Sequence, residues 1–238
     1  MWSAVTPLLS ASHVTFGPMS TGASSFASRP YVVAHVAVSM EGATDGFEPD
    51  LGQFYRLAAT WSENVTLVGS DTILAQEQLL AAAAGPGPAV SGPLLAVVDG
   101  QGRVREWEAL RNAGHWSDVL ALHAEATPPR PAGRTVREVV VGAERVDLAA
   151  ALNAFAAQGI QVVRVDSGGS LIGALLDGGL LDEVSLLIHP LLAGAGGTRR
   201  WHGAAAPPAG DAGLIAHEIV GDGLVWLRYR LSGRSAAI

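Results

Sequence analysis

The residues best placed to do chemistry stand together in Asp166-Ser167-Gly168-Gly169-Ser170. They follow alternating apolar residues (Val163, Val165). They precede a helical pattern in which Leu171 and Leu175, and Ile172 and Leu176, recur at i, i+4 spacing. A second apolar run, Val184 to Ile188, closes the stretch. Strand, glycine turn, helix, strand is a βαβ unit, because parallel strands need such a crossover. At its turn, free backbone N–H groups and the positive end of the helix dipole face outward, and glycine lets a phosphate come close. Asp166 and Ser167 stand at the strand's carboxyl end, where open α/β sheets bind ligands. The spacing is not a complete G-x-G-x-x-G. The turn alone therefore leaves two readings open: an anion site, or a tight turn that binds nothing.

Other strand ends carry similar groups. NVTLVG, Asn64 to Gly69, is a short β-branched strand ending in Gly69-Ser70-Asp71-Thr72 before a helix expected over 73–83. YVVAHVAV is apolar on both faces apart from His35, with Ser39, Glu41 and Gly42 at its carboxyl end. His35 reads either as a satisfied core group or as part of a site. Asp50 reads as the N-cap of a helix carrying Leu51, Phe54, Tyr55 and Leu57. Leu94 to Val98 is a strand running into Asp99-Gly100-Gln101-Gly102-Arg103. Two anion-binding turns on one sheet edge fit an extended diphosphate cofactor better than a single phosphate. A histidine and acids at the first strand could then handle substrate protons. Hydride transfer asks for geometry and a dry pocket more than for a nucleophile, and the cofactor carries the hard chemistry. Reducing a C=N bond still calls for a general acid.

Composition removes several alternatives. The 238 residues include no cysteine and no lysine. Disulfides, thiol catalysis, cysteine zinc sites and Schiff-base lysines are excluded, as is the zinc-deaminase signature. The seven histidines form no H-x-x-x-H or H-E-x-x-H pair, so no metal is expected. No G-x-S-x-G elbow appears. A formal charge of −7 gives no footprint for nucleic acid. An apolar content of 49% supplies an ample core. No apolar run reaches membrane-spanning length, and the N-terminus lacks the basic region of a signal peptide. No membrane partner is expected, and the expected compartment is the cytoplasm.

The elements that must position these groups alternate along the chain. Residues 1–29, rich in Ser, Ala, Thr and Pro, read as a flexible extension, with Met19 an alternative start. From residue 30 to 238 a single domain is expected. Further strands are expected over Val119 to Leu122 and Val136 to Val141, with helices over Glu106 to Arg111 and Leu148 to Ala157. Leu214 to Val220 and Leu224 to Leu231 read as an antiparallel hairpin around Gly221-Asp222-Gly223. The expected fold is therefore α/β: a three-layer α/β/α sandwich whose mostly parallel central sheet ends in an antiparallel C-terminal hairpin.

Taken in order, these segments resemble the dihydrofolate-reductase-like superfamily, and within it the riboflavin-biosynthesis pyrimidine reductases. RPYVVAHVAVSMEG resembles the opening strand, VGSDTILA the G-x-x-T segment, and LLAVVDGQGRV the strand and turn ending in Asp99 and Arg103. VRVDSGGSLIGALLDGGLLDEVSLLIHPLLAGAGG resembles the Glu-Gly-Gly, helix, Asp-Glu and Pro-x-x-x-Gly region. The resemblance implies an NADPH-dependent reductase, commonly a homodimer, acting on a small heterocyclic substrate, a ribosylamino-pyrimidine phosphate. It implies cofactor contacts from Gly69, Ser70, Thr72, Asp99 and Arg103, and from Asp166, Ser167, Gly168, Gly169, Ser170 and Leu171. His35, Glu41 and Asp50 would be catalytic, with Ser39 and Gly42 on the substrate. His35 stands where bacterial members often carry lysine, and Glu41 where Asp is usual. Asp166-Ser167-Gly168 replaces Glu-Gly-Gly, and Gln76-Glu77-Gln78 replaces an Asp-Asp-Pro stretch that serves the phosphoribosyl group. Ser70 stands at the position of the arginine that grips the cofactor's 2′-phosphate in dihydrofolate reductases. These departures leave two alternatives: the same fold reducing a pterin or other heterocycle, or a non-catalytic nucleotide-binding protein.

Overall fold

The computed structural model describes residues 29–83, 85–129, 136–203 and 210–231. Its first strand, β1 (Tyr31–Val38), has every residue from Val32 to Val36 buried. A strand apolar on both faces must lie inside a sheet covered on both sides. It does: β1 sits within a nine-stranded sheet. The other strands are β2 (Val65–Gly69), β3 (Leu94–Val98), β4 (Asp118–His123), β5 (Arg137–Val140), β6 (Val162–Val165), β7 (Glu183–Ile188), β8 (Ala212–Val220) and β9 (Leu224–Leu231). The order across the sheet is β5-β4-β3-β2-β6-β1-β7-β9-β8. The strands β1 to β7 are parallel. The hairpin β8–β9 runs antiparallel to them along one edge.

Helices cover both faces. On one side α5 (Leu148–Ala157) and α6 (Gly169–Asp177) pack Phe155, Ile172 and Leu175 against Val32, Ala34, Leu67 and Val163. On the other side lie two separate apolar groups. α1 (Leu51–Ala58) and the turn after it place Phe54, Leu57 and Trp61 on Val33, Leu187 and Trp226. α2 (Ser70–Leu74) and α4 (Trp107–Arg111) place Ile73, Trp107 and Leu110 on Val68, Leu95 and Val97. The register aligns Val33, Arg164, Thr66 and Leu95 in one row across four strands. Side chains of paired positions share a face. Arg164 therefore occupies the strip of sheet between the two apolar groups.

The helix expected over 73–83 is two helices, α2 and α3 (Glu77–Ala82). Gln76, at φ −121°, leaves the helical region. The Glu77 carboxylate accepts the N–H groups of Arg105 (2.5 Å) and Glu106 (2.9 Å), which ties α3 to the start of α4. The extension expected over 1–29 lies outside the described residues except for Arg29. That residue is held by a two-pronged ion pair to Asp182 (2.6 and 2.7 Å). The frayed end expected over 232–238 also lies outside them. No helix among the described residues is long and apolar enough to cross a membrane.

Candidate functional site

Parallel strands bring the ends of β1, β2, β3, β6 and β7 to one rim of the sheet. β6 lies between β1 and β2, so the turns after β6 and β2 are neighbours. Ser167 joins them. Its Oγ accepts the N–H of Gly69 at 3.0 Å and shares a hydrogen bond with the Thr72 hydroxyl at 3.2 Å. The turn after β3 adjoins in its turn. The Arg103 guanidinium donates to Ser70 Oγ (2.8 Å) and Asp71 Oδ1 (2.5 Å). Asp99 is buried and accepts the N–H groups of Arg103 and Val104 (2.9 and 3.0 Å), which shapes the loop that presents Arg103.

The polar side chains of this rim thus bind one another, and what remains open is backbone. Gly168 caps α6 without any side-chain hydrogen bond, and a Cβ placed on it would meet nothing within 4 Å. Ser170 beside it is exposed. The N–H groups at the start of this nine-residue helix, which no side chain caps among the described residues, have the polarity that suits a phosphate anion. Gly169 has a different reason to be glycine: a Cβ there would run into the Arg200 carbonyl and the Gly203 amide. Leu171 is buried in the core below.

Next to this cradle a small cleft of about 50 Å³ opens between α1 and α2. Tyr55, Ile73, Leu80 and Trp116 give it apolar walls. Thr72, Gln76 and Asp166 supply its polar groups. Asp166 Oδ2 pairs with Arg164 Nη1 at 3.2 Å, and Arg164 Nε donates to Glu63 Oε1 at 2.8 Å. Burial opposes the charge on Arg164, but the two carboxylates outweigh it and raise the guanidinium pKa. Burial, and then the charge of Asp166, push the Tyr55 phenol far up, so it keeps its proton. A mostly apolar cleft with a few convergent polar groups is the usual form of a small-molecule site.

The residues expected at the first strand have other placements. His35 is 1% exposed. Its Nε2–H donates to the Phe54 carbonyl (3.0 Å), so its Nδ1 accepts from the Ser185 hydroxyl (2.9 Å). Ser185 Oγ in turn accepts from Trp226 Nε1 (2.8 Å). Both ring nitrogens are used inside the fold, and none is left for a substrate. Burial, reinforced by Arg164, lowers its pKa to about 3. Ser39 is buried and its Oγ accepts the Ala43 N–H (3.1 Å) across a turn that Gly42 makes at φ +80°. Glu41 Oε1 accepts the Gly194 N–H (3.0 Å), and the Glu41 carbonyl accepts from Arg200 Nη1 (2.9 Å). Ser39 thus shapes the loop after β1, while Glu41 and the Gly42 carbonyl, which accepts the Trp201 N–H (3.3 Å), fasten that loop to the segment after β7. Asp50 does cap α1, accepting the Gln53 N–H at 2.9 Å. Its own N–H is held by Nε2 of buried His189 (2.9 Å).

The sequence marks Tyr55 only as a helix residue and Gln76 only as a departure from the family pattern; it singles out neither Trp116 nor Arg164. Arg164 did leave a signal: it is a charged residue in the middle of an otherwise apolar strand. Trp116 left none.

Comparison with known proteins bears on this arrangement. The model of the RibD C-terminal domain matches residues 30–219. The 2,5-diamino-6-ribosylamino-4(3H)-pyrimidinone 5′-phosphate reductase of Methanothermobacter thermautotrophicus is 31% identical over 179 residues, 70% of this chain and 80% of that protein. Among solved structures, the riboflavin biosynthesis reductase of Saccharomyces cerevisiae superposes with a TM-score of 0.65 at 19% identity, covering 89% of this chain and 93% of that one. The diaminohydroxyphosphoribosylaminopyrimidine deaminase/5-amino-6-(5-phosphoribosylamino)uracil reductase of Thermotoga maritima superposes with a TM-score of 0.60 at 17% identity, covering 86% and 57%.

Proposed function

The chain belongs to the RibD C-terminal domain family, and from that premise we infer a pyridine-nucleotide-dependent reductase that acts on a ribosylamino-pyrimidine 5′-phosphate of riboflavin biosynthesis. The observation that carries this reading is the adjacency of two features. An uncovered helix start at Gly168 adjoins an apolar cleft, and Asp166 borders both. NADPH bound along Gly168–Ser170 would supply a hydride, two electrons with one proton nucleus. The chain's part is to hold the sugar carbon of the substrate beside it and to keep water out. The ribosylamine opens so that its first sugar carbon is doubly bonded to nitrogen. The carbon accepts the hydride, the nitrogen takes a proton, and a ribitylamine results. Tyr55, a permanent phenol, and Gln76 orient the ring within the cleft, and the apolar walls exclude solvent.

Arg103, exposed and held on Ser70, is the guanidinium on this rim that suits a 2′-phosphate, which favours NADPH over NADH. The exposed apolar residues Leu214, Ile215 and Ile219 on edge strand β8 favour a homodimer.

The test is a fluorescence titration with NADPH and NADH, followed by NADPH oxidation with the ribosylamino-pyrimidine phosphate. Saturable binding and stoichiometric turnover are expected. Gly168→Trp should abolish binding while leaving the unfolding midpoint in place, because the new side chain enters open space. Undiminished NADPH binding by this variant would remove the cradle from the reading.

A further inference from the structure

The backbone ladder between β2 and β6 ends where the Asp166 N–H meets the Leu67 carbonyl at 3.0 Å. A side chain carries the connection further. Ser167 Oγ accepts the Gly69 N–H at 3.0 Å, standing in for a carbonyl that β6 no longer supplies. Ser167 is the second residue of the Asp166-Ser167-Gly168 run that replaces Glu-Gly-Gly, and a glycine there would offer no hydroxyl. Gly69 shows that the fold makes room for this group. Its backbone, at φ −85° and ψ 153°, is one that any residue adopts. A Cβ on it would nevertheless stand only 3.1 Å from Ser167 Oγ. Glycine at 69 thus answers the serine across the crevice, not the turn. The hydroxyl hydrogens can also be counted. Ser167 Oγ and Thr72 Oγ1 share one hydrogen bond at 3.2 Å. Two hydroxyls carry two hydrogens, and the bond between them uses one. Whichever group donates, the other keeps a hydrogen that meets no acceptor among the described residues. Both side chains are half-buried, and Ser167 directly precedes the open Gly168.

Resting on the reductase reading above, we propose that Ser167 is a positioning residue for the pyridine nucleotide: it ties the turn after β2 to the start of α6 and, coupled to Thr72, presents one hydroxyl hydrogen to the diphosphate. An anionic oxygen is the acceptor that such a spare hydrogen suits, because a bond to a charged acceptor is about twice as strong as one between neutral groups. The pair is held before any ligand arrives. Its rotors are already restricted, so less freedom is lost on binding than with two unlinked hydroxyls. Removing either hydroxyl breaks the unit. Without Ser167, the Gly69 N–H loses its acceptor and nothing joins the two turns beyond the end of the ladder. Without Thr72, Ser167 keeps its bond to Gly69 but loses the partner that fixes its hydrogen.

The experiment titrates the full chain with NADPH by fluorescence and records the unfolding midpoint, KM and kcat beside it. Ser167→Ala and Thr72→Val should each raise the NADPH dissociation constant and KM roughly tenfold, the effect of a lost bond to a charged group. The value of kcat should stay within about twofold, because a uniform binding contact is what has been removed. The double variant should bind no more weakly than the weaker single one, since the two groups act as a unit. Thr72→Ser keeps the hydroxyl and should bind as the native chain does. Gly69→Ala should weaken binding in the native chain and add nothing in Ser167→Ala. Unchanged NADPH binding in Ser167→Ala overturns the proposal, and a lowered midpoint beside it marks a tie that serves stability alone. Additive losses in the double variant overturn it too, because they make the hydroxyls independent. Failure of the native chain to bind NADPH overturns the reductase reading and this proposal with it.

Discussion

His35 puts a polar ring in the middle of a strand buried on both faces, and the fold answers each of its atoms. The ring stacks on Phe54 at 4.3 Å between centroids. The Trp226–Ser185–His35–Phe54 chain fixes one tautomer. The cost of charging it appears in solution. An unfolded histidine takes a proton near pH 6.5, and the folded one does so at about 3. A depressed pKa means stability is full above 6.5 and falls as pH drops from there toward 3. By pH 5 the loss amounts to about 2 kcal/mol. Urea midpoints at pH 7 and pH 5 should show it. An NMR titration of the ring should stay flat down to pH 4, and an imidazole titrating near 6.5 would refute the assignment.

Among the elements, α1 and α6 do most to build the site. The sheet holds α1 at two points: His35 bonds its Phe54 carbonyl, and His189 bonds the N–H of its cap. Tyr55, next to Phe54, is thereby fixed as a wall of the cleft. The segment 198–203 lies so close against α6 that Gly169 and Gly173 have no room for a Cβ. The same segment pairs with the loop after β1 through Ala43 and Arg200. Gly169→Ala therefore separates two effects. Propensity alone favours alanine in a helix by up to about 1 kcal/mol. Overlap with the Arg200 carbonyl opposes it by roughly 1–3 kcal/mol. A net loss in chemical denaturation is expected, and a gain would mean the segment sits further from α6.

At the scale of the whole molecule, the two edges of the sheet differ, and we propose that a second copy of the chain covers one of them. β5, at the far edge, is short, with four residues. β8 has nine residues and is exposed along almost its whole length, with Ile219 75% and Leu214 54% exposed. Long apolar edges invite pairing. A homodimer is expected at micromolar concentration, and Leu214→Lys with Ile219→Lys should shift it to monomer in sedimentation velocity while the circular dichroism is kept. A native chain that sediments as a monomer would place the contact, or its absence, elsewhere.

The sequence by itself determined the layered α/β sandwich, the antiparallel hairpin and the glycine turn at Gly168. These rest on local periodicity and on backbone freedom, which a short stretch carries within itself. It identified Asp50 as a cap for the same reason. It could not determine which side chains face the ligand. Ser167 reaches Gly69 and Thr72 because β6 inserts between β1 and β2, and Arg164 meets Glu63 across 101 residues. Polar groups at strand ends look alike in a sequence whether they bond a ligand or one another. Only the order of the strands decides which neighbours satisfy them, and so leaves the Gly168 backbone open.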